Sequence, residues 1–463
     1  MTEQQILHKI GLLADKSGTH VWAVGGFVRD KLLGISGKDI DFVVEGDGPA
    51  FAKKVAEEMG SGQVVVFEKF HTAMVNIHNF QLEFVGARSE RYEEHSRKPH
   101  VSSGDLNTDL TRRDFTINAM AYGLNKENFG KIIDPFDGKK DLENKIIRTP
   151  LDPEVTFKDD PLRILRAIRF ATRFEFIIEE RTFEALKKVG HRLEIISQER
   201  ITTELFHILK SNKPSIGFYL MDEADILQYV FPEFVDMKGV EQREGFHHKD
   251  VFEHTLKVVD NVASVSDKIE LRFAALVHDI AKPKTKLFVP GTGWTFHGHD
   301  EIGARMLNYI CKRMRISNSI LNYAQKLVRL HLRPIHLSDE NVTDSAIRRL
   351  LVQAGDDLND LLILCRADIT SGNPDRVRQH LENFDLVTKR LQEVEEKDKM
   401  RSFQSPIRGD EIMEVCNIKP GPMVGTLKKI IEEAILDGEI ANDHDAALEY
   451  LLAIKDKVLD SQN

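Results

Sequence analysis

The chain has 463 residues, too many for one ordinary hydrophobic core, so roughly two to four domains are expected. Its composition, 41% hydrophobic and 30% charged, is that of a folded globular protein and excludes extensive disorder. A net charge of −10 argues mildly against a nucleic-acid partner, although a local basic groove would outweigh the total, and no apolar run approaches a membrane span.

The opening MTEQQILHKIGLLADKSG lacks the charged-then-apolar layout of a signal peptide. The scattered Cys311, Cys365 and Cys416 make neither a disulfide framework nor a zinc pattern, so the cytoplasm is the expected location. HVWAV then reads as a strand, Gly25 and Gly26 as a tight turn, FVRDKLLG as a short helix stopped by Gly34, and KDIDFVVEG as a second strand. A helix around PAFAKKVAEEMG precedes three more strands, QVVVFE, HTAMVNI and QLEFVGA. From about residue 157 nearly everything reads as helix, with apolar residues three or four apart and short polar loops. One boundary follows LMDEADILQYVFPEF, a histidine-rich zone begins at Phe246, and KDKMRSFQSPIRGDEIM reads as a linker into a last helical module. The expected fold class is α+β: a small α/β head followed by a long helical body.

In KDIDFVV, strand alternation puts Asp39 and Asp41 on one face and Ile40 and Phe42 on the other. Two carboxylates that close repel unless a cation lies between them, which is an arrangement suited to Mg²⁺. Alone, the pair would equally fit two solvated aspartates on an edge strand. The Gly25–Gly26 turn, with Arg29 one helical turn on, adds a cradle for a triphosphate. Glu83, on a later strand, is a candidate third carboxylate. Further on, DDPLRILRAIRF reads as one helix with Asp160, Arg163 and roughly Arg166 on one side, which by itself fits a solvated, ion-paired face.

Taken in order, GGFVRDKLLG, KDIDFVVEG, LTRRDFTINAMAY, DPFDGKKDLENKIIRT, DDPLRILRAIRF and ERITTEL resemble the signature motifs of the class II tRNA nucleotidyltransferases, a family that includes bacterial poly(A) polymerases. The resemblance covers about residues 20–235. It implies a polymerase-β-like head in which Asp39 and Asp41 hold the catalytic Mg²⁺ while Gly25, Gly26 and Arg29 contact the nucleotide phosphates. It further implies that Arg113 and Asp114 address the ribose, that Asn118 supports the pocket, and that segment 89–110 is a flexible loop near the active site. Asp159, Asp160 and Arg163 fit the family's acidic pair and arginine, with aspartate where glutamate is common at the first position, and Arg166 joins the nucleotide-facing side. A carboxylate accepts from the exocyclic amine of cytosine or adenine and a guanidinium donates to the ring nitrogen, so this element would act as a protein template.

Seven of the 18 histidines, His247, His248, His254, His278, His297, His299 and His331, lie between Phe246 and Pro334. VFEHTLKVV, LVHDIAKPKT, FHGHDEIGA and CRADITSGN resemble the metal-dependent HD phosphohydrolase domain. The implied ligands are His254, His278, Asp279 and Asp368, for a transition metal or Mg²⁺, with His299 and His331 completing a second position. The stretch from IRGDEIM to GEIAND resembles the family's tail, which clamps tRNA by shape and phosphate contacts.

The reading is therefore a head at 1–150, a helical neck at 151–240, an HD domain at 246–380 and a tail at 381–463. The implied enzyme adds CCA to the 3′ end of tRNA from CTP and ATP, with no membrane and no obligatory protein partner. A poly(A) polymerase or a CC- or A-adding specialist shares the head motifs. A phosphohydrolase with a degenerate head is the alternative from another class, against which the intact Asp39 and Asp41 stand.

Overall fold

The computed structural model describes residues 1–460 apart from 62, 69–70, 92–99, 242–249, 338–342, 371–372, 399 and 401–402. The chain divides into two compact units, Met1–Val235 and Asp236–Asn463.

The first unit opens with α1 (Glu3–Ser17), started by a capping box between Thr2 and Gln5 and ended by Gly18 in the left-handed region. Then come β1 (Val21–Val24), α2 (Gly26–Leu32), β2 (Asp39–Val44), α3 (Gly48–Met59), β3 (Val64–Phe67), β4 (Thr72–Ile77) and β5 (Phe80–Gly86). After them lie β6 (Arg88–Arg91), β7 (His100–Ser103), α4 (Leu106–Thr111), β8 (Ala121–Gly123) and β9 (Ile132–Ile133). Seven strands form one mixed sheet in the order β3-β4-β5-β2-β1-β8-β9, with β2 and β5 parallel. The period of two in β2 decides its packing: Ile40, Phe42 and Val44 are buried against Ile10, Phe51 and Val55 from α1 and α3. Phe42 and Phe84 stack at 4.8 Å across the parallel pair. On the other face Val43 packs with Trp22, Leu106 and Leu110, while Asp39 and Asp41 stay exposed.

Two expectations for this unit need correction. The segment at 89–110 is not loop throughout, because β6 pairs with β7 and α4 follows; its residues 92–99 lie outside the described residues. Nor is DDPLRILRAIRF one helix. After α5 (Gly138–Glu143) and β10 (Ile146–Ile147), α6 (Pro153–Asp159) ends and α7 (Leu162–Phe174) begins afresh. Asp160 lies between them in extended backbone, at φ −137° and ψ 98°. Proline disfavours helical geometry in the residue before it, so Pro161 breaks the run and detaches both aspartates from the arginine helix.

The rest of the unit is β11 (Ile177–Ile178), α8 (Glu180–Val189), α9 (Gln198–Leu209), α10 (Ser215–Glu223), α11 (Leu227–Val230) and α12 (Pro232–Val235). Ile164, Leu165, Ile168 and Ala171 bury the inner face of α7, and Gly217 brings α10 close to it.

The second unit starts with α13 (Val251–Ala263) and α14 (Ile269–Val277), linked by a polar tie: the buried Arg272 donates to Ser266 O at 2.8 Å and Ala263 O at 3.2 Å. Ala263 O is one of the last carbonyls of α13, which the helix itself leaves unpaired, and Ser266 O lies in the loop that follows. After α15 (Lys282–Thr285) comes a β-hairpin, β12 (Leu287–Val289) and β13 (Gly293–Thr295), which the expectation of helix had missed. The helices α16 (His299–Arg313), α17 (Asn318–Leu330), α18 (Arg333–His336), α19 (Asp344–Ala354), α20 (Leu358–Asp368) and α21 (Pro374–Asp398) follow. The end of the chain holds α22 (Gly409–Cys416), α23 (Pro422–Asp437) and α24 (His444–Asp460). Arg349 of α19 donates to Glu433 and Asp437 of α23, both at 2.8 Å. Among the described residues no helix is long and apolar enough to cross a membrane.

The contact at Gly217 gives a test of the packing. A Cβ there would stand 2.5 Å from Ile208 Cγ2 and 2.8 Å from Thr172 Oγ1, whereas one at Gly37 meets nothing within 4 Å. Gly217→Ala is expected to destabilise the first unit by about 1–3 kcal/mol, and Gly37→Ala to leave it within about 0.5 kcal/mol. Thermal unfolding of the two variants beside the parent chain measures the difference.

Candidate active site and metal centre

The head site is assembled by sheet register. Val24, the last residue of β1, pairs with Asp41, so the Gly25–Gly26 turn begins beside that carboxylate. On the other side of β2, Asp41 pairs with Glu83 and Asp39 with Gln81 in the parallel ladder, which puts Glu83 on the aspartate face. Gly25 is at φ +66°, and a Cβ there would stand 2.6 Å from Arg113 Nη1. Glycine thus lets the Arg113 guanidinium lie against the turn. Although Asp41 keeps access to solvent, the protein around it partly desolvates its carboxyl and raises it above its usual range; Arg113 opposes this, and the Asp39 charge adds to it. That repulsion is the condition a hard divalent cation relieves, so the pair fits such an ion.

Arg113 is aimed by a residue that sequence reasoning missed. Asp109 on α4 is completely buried and receives Arg113 Nη2 at 2.9 Å and Arg112 Nη2 at 2.5 Å. Its spacing three and four residues before the arginine pair in DLTRRD was the available signal.

A second set of groups forms a buried chain. Arg29 Nη1 donates to Asn118 Oδ1 at 2.6 Å, and Asn118 Nδ2 donates to Asp114 Oδ1 at 3.0 Å. Asp114 Oδ2 in turn accepts from Arg166 Nε at 2.8 Å and Nη2 at 2.5 Å, and Oδ1 also accepts from the Phe115 amide. The lone-pair positions of this carboxylate are filled, so a ribose hydroxyl would enter only by opening one of these bonds. Burial alone would raise Asp114, but Arg166 and the hydrogen bonds outweigh it and hold the carboxyl at about 2. Arg29 is 4% exposed, and its guanidinium lies 5.2 Å from the Phe170 ring and 4.9 Å from Phe174. It ties α2 to α7 rather than facing solvent at the turn.

Arg163, in the first turn of α7, donates to Arg112 O at 2.7 Å, which links it to the Arg112–Arg113 pair at the end of α4. Asp160 Oδ1 accepts from the Leu162 amide at 3.2 Å and Oδ2 from Arg200 at 3.4 Å. The structure therefore gathers Gly25, Asp39, Asp41 and Arg113 at one place, carries Asp160 in the break before α7 and Arg163 in the first turn of α7, and gives Arg29, Asp114, Asn118 and Arg166 to the joint.

In the second unit, two trios have their ligand atoms within 4.8 Å of one another: His254, His278 and Asp368, and Asp279, His299 and His331. His254 Nε2 is 2.8 Å from Asp368 Oδ1, His278 Nε2 is 3.2 Å from Asp279 Oδ2, and His299 Nε2 is 3.4 Å from Asp279 Oδ1. The outer nitrogens are all engaged: His278 Nδ1 with Ala275 O, His299 Nδ1 with Phe296 O, His331 Nδ1 with Val328 O, and His254 Nδ1 with the Thr370 hydroxyl. Donation from Nδ1 to a carbonyl leaves the Nε2 lone pair pointing inward, as metal ligation requires. His278 Nε2 and both oxygens of Asp279 are buried without a hydrogen bond of good geometry, so these atoms fit a metal ion better than each other. Lys282 supplies a cation 2.6 Å from Asp279 Oδ2, three residues on in HDIAK, and was missed. Burial would depress His278, but Asp279 and Asp368 outweigh it and raise it to about 10, so a metal ion would have to displace the proton on its Nε2, while His331 is depressed to about 4 by burial and the neighbouring His278. Residues His247 and His248 lie outside the described residues.

Comparison with known proteins agrees with this division. Residues 21–148 match the Poly A polymerase head domain, 175–237 the "Probable RNA and SrmB- binding site of polymerase A", and 251–373 the HD domain. An A-adding tRNA nucleotidyltransferase of Deinococcus radiodurans is 29% identical over 91% of this chain and 93% of its own length. A multifunctional CCA protein of Cupriavidus metallidurans is 34% identical over 75% of this chain and 84% of its own. Among solved structures, an apo CCA-adding enzyme aligns with a TM-score of 0.66 at 26% identity, covering 98% of this chain and 96% of the other.

The buried carboxylate has a pH signature. Its folded-state value of about 2 lies below the value of roughly 3.9 for an unfolded aspartate, so its stabilisation is fully present above about pH 4 and is lost as pH falls through 2. The stability gap between the parent chain and Asp114→Asn is expected to be constant above about pH 5 and to shrink by about 2 kcal/mol toward pH 2. Urea unfolding across that range measures it.

Proposed function

The chain belongs to the poly(A) polymerase and tRNA nucleotidyltransferase family, and we propose from that premise that it adds C, C and A to the 3′ end of tRNA from CTP and ATP without a nucleic-acid template. The observation that carries this reading is the register of β1, β2 and β5, which sets two exposed carboxylates beside a glycine turn and an arginine. Asp39 and Asp41 would hold Mg²⁺, with Glu83 beside them, and Gly25, Gly26 and Arg113 would receive the triphosphate. When bound, the metal supplies charge for the attacking oxygen and the departing pyrophosphate. The tRNA 3′ oxygen bonds to the α-phosphorus, the α–β bridging bond breaks, pyrophosphate leaves, and the hydroxyl proton is lost toward the carboxylate face.

Choice of base falls to Asp160 and Arg163. Asp160 would accept from the exocyclic amine of cytosine or adenine, and Arg163, which keeps N–H donors beyond the one given to Arg112, would address the ring nitrogen. Uracil and guanine present the opposite polarity and leave these groups unpaired. Arg29, Asn118, Asp114 and Arg166 are positioning residues in this scheme. A second reading, addition of A alone, is favoured by the Deinococcus radiodurans relative, whose name states that activity and whose alignment spans nearly both chains. Incubation with tRNA ending before CCA, and with tRNA ending in CC, each with CTP, ATP or both, separates the two. Long tails made from ATP alone on unstructured RNA would instead favour poly(A) synthesis.

The second unit would act separately, as a phosphoesterase in which His254, His278 and Asp368 hold one divalent ion and Asp279, His299 and His331 another. Water oxygen bonds to phosphorus, the ester P–O bond breaks, and the proton passes to the leaving oxygen. Nitrogen-rich ligands favour Ni²⁺, Co²⁺ or Mn²⁺ over Mg²⁺. The four modules at 1–150, 151–240, 246–380 and 381–463 then divide the work into chemistry, selection, hydrolysis and RNA holding.

Asp41→Asn is expected to abolish nucleotide addition while circular dichroism stays unchanged; near-parental extension of tRNA would refute the assignment. Arg163→Ala should retain some addition and lower the preference for CTP over UTP by about 5- to 150-fold, the equivalent of one lost base contact of roughly 1–3 kcal/mol. Replacing His278 and Asp279 together with alanine should remove hydrolysis of 2′,3′-cyclic phosphates and spare addition to tRNA. A folded double variant that lost addition would show the two centres to be coupled.

A further inference from the structure

We propose that the hairpin β12–β13 is a binding lip for an unpaired RNA 3′ end carrying a phosphate ester, with bases stacking on Phe288 and Trp294 and lysines following the phosphates. The proposal deepens, and rests on, the phosphoesterase reading of the second unit.

Between two metal-facing residues, Asp279 and His299, the chain passes through the single turn of α15 (KPKT) and then leaves its helices to build KLFVPGTGWTF. Each strand of the hairpin has only three residues, and its turn is made by Pro290 to Thr292. So short a ladder has no core of its own. Its large side chains are nevertheless apolar and aromatic: Phe288 is 43% exposed and Leu287 62%. Phe288 pairs with Trp294 in register, and their rings meet edge to face at 5.1 Å. The chain has only two tryptophans, and the other, Trp22, is buried in the head.

The charge is equally one-sided. Lys282, Lys284 and Lys286 lie along the approach, and no Asp or Glu occurs between Asp279 and Asp300 in a chain whose net charge is −10. Lys286 Nζ lies 4.1 Å from the Trp294 ring. Both ends of the excursion are fixed to the metal centre. At one end Lys282 Nζ is 2.6 Å from Asp279 Oδ2 and 5.6 Å from the Phe296 ring; at the other the Phe296 carbonyl accepts from His299 Nδ1 at 2.7 Å. Aromatic faces stack on any base, and lysines track the backbone without reading sequence. A small phosphomonoester would use the metal centre but neither ring. A second copy of this acidic chain would match the lysines but gives no reason for paired rings beside a phosphoesterase centre.

Two measurements on the full-length protein test the lip. Tryptophan fluorescence is followed during titration with tetra-adenylate ending in a 3′-phosphate, with binding checked by anisotropy of a labelled copy. Specificity is measured as the ratio of kcat/KM for 2′,3′-cyclic AMP to that for glycerol 2-phosphate, which has no base. Phe288→Ala is expected to raise Kd about tenfold and lower the ratio by a similar factor, the effect of one lost stack. Phe288→Tyr keeps an aromatic face and should restore both, which separates stacking from hairpin folding. Lys284→Glu should weaken binding and flatten its salt dependence. Equal loss on both esters, no change in Kd with any variant, or a Phe288→Ala effect on oligomeric state in light scattering without an effect on RNA affinity would overturn the proposal. If RNA binds and Phe288→Ala weakens it, yet neither ester is hydrolysed with Ni²⁺, Co²⁺, Mn²⁺ or Mg²⁺, the lip stands and the phosphoesterase reading fails.

Discussion

Asp114 is the point on which the head's arrangement depends. Its carboxylate is buried, yet it stays ionised because Arg166 meets it with two N–H groups and Asn118 and the Phe115 amide take the remaining positions. A buried charge is tolerated only when so completely paired, and removing one partner costs far more than an exposed pair would contribute. Through Asn118 the chain continues to Arg29 on α2, the helix that starts at the glycine turn. The turn and α7 are thereby held to one another by polar bonds of fixed geometry, with Phe170 and Phe174 packed on the Arg29 guanidinium. A wholly apolar contact would bury as much area but would fix the register less sharply.

The two candidate metal sites solve the same problem in different ways. In the head, the sheet itself orders the acidic groups: alternation along β2 and register with β5 align Asp39, Asp41 and Glu83 without further support. In the helical unit the candidate ligands come from α13, the end of α14, α16, the end of α17 and α20, and no single element can align them. There each imidazole is set by its outer nitrogen, three of them against a carbonyl three residues earlier in the chain. For His278 and His331 that carbonyl belongs to the last turn of α14 or α17, and for His299 to the turn that leads into α16, so local backbone geometry orients the rings.

Much of this was legible in the sequence because it rests on short-range periodicity. The strands β1 to β5 and the shared face of Asp39 and Asp41 could be read from alternation, and the histidines and aspartates of the second unit were singled out by their resemblance to the HD motifs. What could not be read were the partners. Asp114 looked like a group for the substrate, and only the fold shows its lone pairs filled by Arg166, which lies 52 residues away. Arg29 looked like a phosphate contact until packing buried it against α7. The break at Pro161 was legible and was overridden by the helical period on both sides. The hairpin at 287–295 carried its own signal, Pro and Gly between aromatic residues, inside a region otherwise dominated by helical spacing.

The central claim is that Asp114 and Arg166 act as one joint that keeps the proposed base-selecting residues, Asp160 and Arg163, in register with the carboxylate strand. A double-mutant cycle on fidelity tests it most directly: the ratio of kcat/KM for CTP to that for UTP is measured in the parent chain, Asp114→Asn, Arg166→Gln and the double variant. A single joint predicts that each single variant lowers the ratio and that the double variant is no worse than either. Additive losses, or fidelity unchanged in both single variants, would contradict it.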